Sequence, residues 1–367
     1  MKTRNSNYNL RIPGPTPLPP QVLKATSRQM INHRGHKYEE IQKRIVENLQ
    51  YFFQTKNDIF LLTSSGMGGL EASIANFFSP GDKIVSFTCG EFGERWAEIA
   101  RRFQANVLQV KVPLGMAIKQ ELVAETLNNT ANVKGVLVTL NETATGVLNP
   151  ISNIAKVVKS HPDCPLILVD GISALGAVDL PMDKIGIDVL ITASQKAWMA
   201  PPGISMIAVS KKAWERHKIA KMPHYYFDLS MYREFSQKNQ TPATPALTTL
   251  FGLDQGLSMM RKEGKVKIFK RHLDLKDRLR VGVKKIGLKL FTCDEYASPT
   301  VTSVKVPLGI DAAIWLKLLR EKYNCVLAGG MGETKGKIIR IAHMGYVGKK
   351  DIDEVLDALK KSRKELE

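Results

Sequence analysis

Cysteine is scarce in this chain, and the little there is lies scattered. Cys89, Cys164, Cys293 and Cys325 are spread over 367 residues. They form no Cys-x-x-Cys pair and have no histidine pair close by, which argues against a disulfide framework and against a zinc site. They read as reduced, buried, small apolar residues. Long apolar runs are also missing: none approaches the roughly 20 residues that span a bilayer. The polar stretch from Met1 to Leu10 lacks the apolar block of a signal peptide. A cytoplasmic location with no membrane partner is therefore the default expectation.

Acidic residues are outnumbered, 35 against 53 lysines and arginines, for a net charge of +18. Such an excess raises the question of nucleic acid, but no aromatic or glycine-rich reading platform accompanies it. Much of the excess lies in Arg261–Lys289 and Lys349–Lys364, interleaved with apolar residues at helical spacing. These stretches read as solvated lysine faces of amphipathic helices. They leave a mild pull on anionic substrates and no expectation of a nucleic-acid partner.

What is present is the balance of an ordinary globular protein, 44% hydrophobic and 24% charged, and it is long enough for two domains. The proline-rich opening through Pro20 cannot form helix or central strand and reads as an extended arm, residues 1–20. A large domain, 21–250, follows. Tyr38–Gln54 has helical periodicity. From Ile59 onward, short apolar strands (59–62, 83–87, 107–110, 135–140, 166–169, 189–191, 205–209) alternate with helices (68–78, 92–103, 119–128, 151–160). This alternation predicts an α/β domain with a mostly parallel seven-stranded sheet covered on both faces. A long helical pattern, Leu247–Arg280, leads into a smaller α+β domain, 251–367. That domain has strands at 301–306 and 338–343 between helices 311–322 and 351–364.

Four features carry chemistry. Lys196 sits in Ser194-Gln195-Lys196-Ala197-Trp198-Met199-Ala200-Pro201-Pro202-Gly203, a polar segment clamped between two core strands. A lysine held so, in partly apolar surroundings, can have a lowered pKa and form an imine with a carbonyl cofactor. Asp170 ends the buried strand Leu166–Val169, where ligands of open α/β sheets bind. A buried carboxylate there wants a cation such as a protonated pyridine nitrogen. The strand, glycine turn and helix start around Ser65-Gly66-Met67-Gly68 offer an anion cradle of free N–H groups. This cradle is neither a P-loop nor a dinucleotide fingerprint. Arg340, inside the apolar strand 338–343, suits a carboxylate. Singly, these read as a surface lysine, a capping Asp, a tight turn and a salt bridge. Together they suit pyridoxal phosphate acting on an α-amino acid.

On the residues Pro13-Gly14-Pro15-Thr16, Met30-Ile31-Asn32-His33-Arg34-Gly35, Val169-Asp170-Gly171-Ile172-Ser173-Ala174-Leu175-Gly176 and Ser194–Gly203, the chain resembles the fold-type I, class V aminotransferases. Within them it is close to the alanine–glyoxylate and serine–pyruvate or serine–glyoxylate group; sequences labelled soluble hydrogenase small subunit are similar too. The resemblance runs nearly end to end. It implies that Lys196 is the Schiff-base lysine and proton shuttle, and that Asp170 pairs with the pyridine nitrogen. Ser65, Gly66, Met67 and Gln195 then fall around the phosphate. Thr143 meets the phenolic oxygen, Phe92 stacks on the ring and Ile172 lies beside it. Thr241 and Thr244 resemble a segment lent by the neighbouring subunit of a homodimer with shared sites. Arg340 grips the substrate α-carboxylate, with the Gly14 arm against that substrate. The implied reaction moves an amino group from a small amino acid (alanine or serine) to a small 2-oxo acid (glyoxylate or pyruvate).

Departures bear on the donor. Phe92 replaces the tryptophan of close relatives, Met67 stands where some members carry histidine, and Asn141 differs from the vertebrate alanine–glyoxylate pattern. An aspartate or aminophosphonate donor is the nearest rival. A desulfurase would need a nucleophilic cysteine on a mobile loop, and Cys293 and Cys325 read as strand-like. A non-catalytic accessory subunit would predict loss of Lys196, Asp170 or Arg340, and all three are intact.

Overall fold

The computed structural model describes residues 8–367. Helix α1 spans Pro20–Thr26 and α2 spans His36–Phe53. The main strands are β1 Asp58–Thr63, β2 Lys83–Thr88, β3 Asn106–Lys111, β4 Val133–Thr139, β5 Leu166–Asp170, β6 Val189–Ala193 and β7 Ile204–Val209. Between them run α3 Gly66–Phe77, α4 Glu91–Arg102, α5 Gln120–Asn128 and α6 Ile151–Ser160. These seven strands form one sheet in the order β1-β7-β6-β5-β4-β2-β3. Only β7 runs antiparallel to its neighbours. Because β6 and β7 are joined by a short loop rather than a crossover helix, the second strand has to return antiparallel.

The two faces of the sheet are read from alternate residues. Leu61, Val85, Val138, Val169 and Leu190 join a core with α2, α5 and α6. Phe60, Leu62, Ile84, Leu137, Leu168 and Ile191 join a second core under α3 and α4. Side chains alternate across a strand, so near-continuous apolar runs are what a sheet covered on both faces requires.

After β7 the helical pattern expected over Leu247–Arg280 is two helices, α7 Leu247–Glu263 and α8 Lys265–Lys285. Gly264 breaks them apart at φ +84°, a value glycine reaches without a Cβ clash. The stretch 225–244, which shows no period in sequence, contains a short helix, Leu229–Ser236. A third core gathers Leu275, Leu279 and Val283 of α8 with β8 (Val301–Lys305), α9 (Ala312–Glu321), β10 (Ile338–Ala342) and α10 (Lys349–Leu366), while β9 (Ala328–Gly329) pairs with β10. Its three-stranded antiparallel sheet has the order β8-β10-β9. The lysine-rich faces of α8 and α10 lie outside this core, as their spacing predicts.

Two expectations about cysteine are corrected. Cys89 and Cys325 are buried, but Cys164 and Cys293 are exposed. Cys293 lies in the connection of bends and turns before β8 rather than in a strand, because its neighbours Asp294 and Glu295 keep that segment at the surface. No helix among the described residues is long and apolar enough to cross a membrane.

The N-terminal arm ties the two halves together. Leu10 pairs in parallel with Val326, and the Arg11 carbonyl accepts from Ala342 N at the end of β10. Further on, Thr16 N donates to Gln195 O at 3.1 Å and its hydroxyl to Lys196 O at 3.0 Å.

Candidate active site

The C-terminal ends of β4, β5 and β6 converge on one place. Asp170 closes β5 and pairs with Ile191 of β6, and Lys196 lies three residues past the end of β6, in the turn that starts at Ser194. That turn is fixed from below. Ser194 Oγ donates to Pro201 O at 2.6 Å. Trp198 is fully buried, its ring stacked near Phe53 at 6.0 Å and edge-on to Phe52 at 5.8 Å, with its N–H on Thr192 Oγ1 at 2.9 Å. A buried indole with a satisfied N–H is a strong anchor, so the lysine two residues earlier has a defined base. Its ammonium donates to the carbonyl of Pro13 in the arm.

Burial lowers the Lys196 pKa to about 8; the Asp170 carboxylate opposes that shift and Arg340 adds to it. Burial likewise raises Asp170 to about 6, while the N–H of Ile172, 2.9 Å from Oδ1, and the Lys196 charge pull it back. The two groups thus lie within each other's field in a water-poor pocket, where a charge pair interacts strongly.

The cradle is equally specific. Ser65 occupies the N-cap of α3 with no side-chain cap, and Gly66 and Met67 begin the helix. Among the described residues no acceptor takes the Gly66 or Met67 N–H, leaving an open helix N-terminus. A Cβ on Gly66 would stand 2.6 Å from Ile172 Cδ1 and 3.3 Å from Ala193 Cβ. The glycine therefore lets α3 start against the ends of β5 and β6. Met67 is half exposed.

Thr143 donates to Ser173 Oγ at 2.7 Å, a hydroxyl that also meets Asn141 Nδ2 at 2.7 Å. Arg340, between Ile339 and Ile341 of the small core, points the other way. Its Nε donates to Gly329 O at 2.8 Å and its Nη1 to Thr143 O at 3.2 Å. Its Nη2 has no partner among the described residues, and burial depresses its pKa, with the Glu142 carboxylate opposing. Phe92 lies in the first turn of α4, with Arg95 above its ring at 5.4 Å.

Ile172 joins Asp170 to Gly66 of the cradle, with Ser65 and Met67 on either side of Gly66 in sequence; Gln195 and Lys196 meet the arm at Thr16 and at Pro13 beside Gly14; and Arg340 bonds Thr143, whose neighbour Glu142 takes the N–H of Phe92. Thr241 and Thr244 are placed differently. Thr241 donates to Ala243 O, and Thr244 meets His33 Nε2 at 3.5 Å. Arg34 binds the carbonyls of Thr241 and Pro242. No hydrogen bond joins either threonine to Lys196, Asp170 or the cradle within the chain.

Sequence reading missed Glu142 as a site residue. This carboxylate is completely buried; it accepts from the N–H of Ala144 (2.9 Å), Phe92 (3.1 Å) and Gly93 (3.2 Å). Burial raises its pKa to about 7; these amides oppose the shift and nearby Asp170 adds to it. A charged residue three positions after the buried strand Val133–Thr139 was the available signal. The arm's Pro13 carbonyl was also missed, because backbone contacts leave no sequence trace.

The residues fit pyridoxal phosphate on the structure's own terms. The open start of α3 suits a phosphate, the buried Asp170 suits a protonated ring nitrogen, and the buried Oε1 of Gln195 and Oδ1 of Asn141 have no partner among the described residues.

The sequence matches the family described as Aminotransferase class-V over residues 8–355. It is 40% identical over 345 residues (94% of this chain, 90% of the relative) to the soluble hydrogenase 42 kDa subunit of Anabaena cylindrica. It is 34% identical over 345 residues (93% and 86%) to the serine–glyoxylate aminotransferase of Arabidopsis thaliana. The solved alanine–glyoxylate aminotransferase of Nostoc sp. superposes with a TM-score of 0.93 at 27% identity, covering 97% of this chain and 95% of that one.

Proposed function

Given that the chain belongs to the class-V aminotransferase family, with its fold-type I architecture, we propose that it transfers the amino group of a small amino acid, alanine or serine, to a small 2-oxo acid, glyoxylate or pyruvate. The reading rests on one observation above all: a largely buried lysine of lowered pKa shares its pocket with a buried aspartate, an open helix N-terminus and a carboxylate-ready arginine.

Ser65, Gly66, Met67 and Gln195 would hold the phosphate of pyridoxal phosphate, Asp170 its ring nitrogen, Thr143 its phenolic oxygen, and Phe92 and Ile172 its faces. When bound, this cofactor supplies an aldehyde carbon and an electron-accepting ring. Asp170, with a pKa near 6, is anionic at neutral pH and keeps a proton on that nitrogen. Lys196, with a pKa near 8, divides between charged and neutral forms close to working pH. It therefore suits nucleophilic attachment and carrying a proton to and from the substrate Cα. Arg340 offers its free Nη2 edge to the α-carboxylate. The Gly14 arm, lying against Lys196, limits the room left for the substrate side chain, which favours small donors. Thr241 and Thr244, which make no hydrogen bond to this pocket within one chain, are proposed to serve the phosphate of a second copy in a homodimer.

The donor is tested by incubating holoenzyme with one amino acid at a time, oxo acid omitted. Each active site should release one equivalent of pyruvate from alanine or hydroxypyruvate from serine, and glyoxylate should then regain the amino group. Stoichiometric release from aspartate, with none from alanine or serine, would overturn the donor assignment.

A further inference from the structure

Away from this pocket, three side chains at the far end of β7 converge without a role in the transamination. His217 ends the short helix Lys211–His217, and His224 and Asp228 lie in the turn that enters helix Leu229–Ser236. One ligand atom from each lies within 4.8 Å of the others. Asp228 Oδ1 is 3.8 Å from His224 Nε2 and 4.0 Å from His217 Nε2. We propose that His217, His224 and Asp228 form a binding site for a divalent ion of the zinc class.

Three independent features favour an ion over a plain hydrogen-bonded cluster. First, Nε2 of His217 is shielded from solvent and has no hydrogen-bond partner, a costly state for a buried polar atom that a metal bond would relieve. Second, His224 Nδ1 lies 2.8 Å from the carbonyl of Met222. It must donate there, so in the neutral ring Nε2 carries the lone pair turned toward Asp228. An imidazole whose distal N–H is held by a backbone carbonyl is the usual outer support of a metal ligand. Third, the other two ligands are pre-oriented. The His217 ring stands between Trp214 at 5.2 Å and Phe77 at 6.3 Å. Asp228 Oδ1 accepts from Ser230 N at 2.9 Å and Ser230 Oγ at 2.6 Å.

Two nitrogens and one carboxylate oxygen match the borderline donor set of zinc, and water completes a four-coordinate shell. Donors of a tetrahedral ion with bonds of about 2.0–2.2 Å lie about 3.4 Å apart, so the two imidazole–carboxylate separations need to close by about half an ångström. The ion would tie the helix after β7 to the turn whose Phe227 carbonyl accepts from Asn76 of α3 at 2.7 Å. The element that starts the anion cradle would thus be braced from behind.

Holoenzyme stripped with a chelator and titrated with ZnCl2 by calorimetry tests this. The proposal expects one zinc per chain with micromolar or tighter affinity, and a rise in thermal midpoint of about 2 °C or more at saturation. His224→Gln and Asp228→Asn should each weaken binding at least about tenfold. Asparagine caps a helix as well as aspartate does, so the second variant keeps the fold. Replacing the exposed Cys164 and Cys293 by serine should leave binding unchanged. Absence of binding, equal binding by the wild type and both site variants, or loss of binding in the cysteine variant would each overturn the proposal.

Discussion

A Cβ built on Gly14 would stand 2.6 Å from Nζ of Lys196, and Gly14 itself adopts φ +107°. The arm therefore closes on the reactive lysine at a point where only glycine fits, both for space and for backbone conformation. Gly14→Ala should displace the arm or the lysine, with kcat/KM falling about 10- to 100-fold while far-ultraviolet circular dichroism stays native. Wild-type kinetics in this variant would show that the arm has slack the structure does not suggest.

Lys196→Ala should remove turnover without unfolding the chain, since Trp198 anchors the turn independently. The depressed pKa has its own readout. Only the neutral amine attacks an aldehyde, and a pKa lowered from 10.5 to about 8 makes that form available at lower pH. Capture of pyridoxal phosphate by the apoprotein, trapped with borohydride, should rise with pH through about 8. A midpoint in the ordinary lysine range would contradict the buried setting.

Arg340→Lys keeps the charge but loses the two-pronged fork. Hydrogen bonds to charged groups contribute roughly 1.5–3 kcal/mol, so KM for both the amino acid and the oxo acid should rise about 10- to 100-fold. An effect on neither substrate would reduce Arg340 to a strut between Gly329 and Thr143.

Glu142→Gln probes the carboxylate that joins the start of α4 to the Thr143 loop. The folded pKa, about 7, lies above the ordinary 4.5. The stability that the carboxyl gains from its raised affinity for a proton is complete below pH 4.5 and is lost as pH rises through 7. Urea titrations from pH 4.5 to 8 should show the wild type losing ground to the variant by up to about 3 kcal/mol. A constant difference across that range would mean that Glu142 titrates as an exposed acid.

Much of the seven-stranded sheet was legible because local rules and tertiary demand agree there. Val85, Val138, Val169 and Leu190 sit in apolar runs that only a doubly covered sheet can bury, and glycines mark the turns between them. The break at Gly264 was missed because the apolar period continues across it from Met260 to Ile268, both buried in the same core. Cys293 was misjudged because one cysteine among mixed neighbours carries no signal of its own exposure.

Residue identity and order alone determined which side chains could do chemistry: a lysine between two core strands, an aspartate ending a third, an arginine alternating with isoleucines. Tertiary structure alone decided their strength and company. Lys196 and Asp170 perturb each other because β5 and β6 end side by side, and the Pro13 carbonyl reaches Lys196 because the arm is pinned between two sheets. Glu142 joins them, and His217 faces Asp228, only once the chain has folded. Protonation and coordination depend on burial and on distances of a few ångströms, and those quantities exist only after remote segments meet.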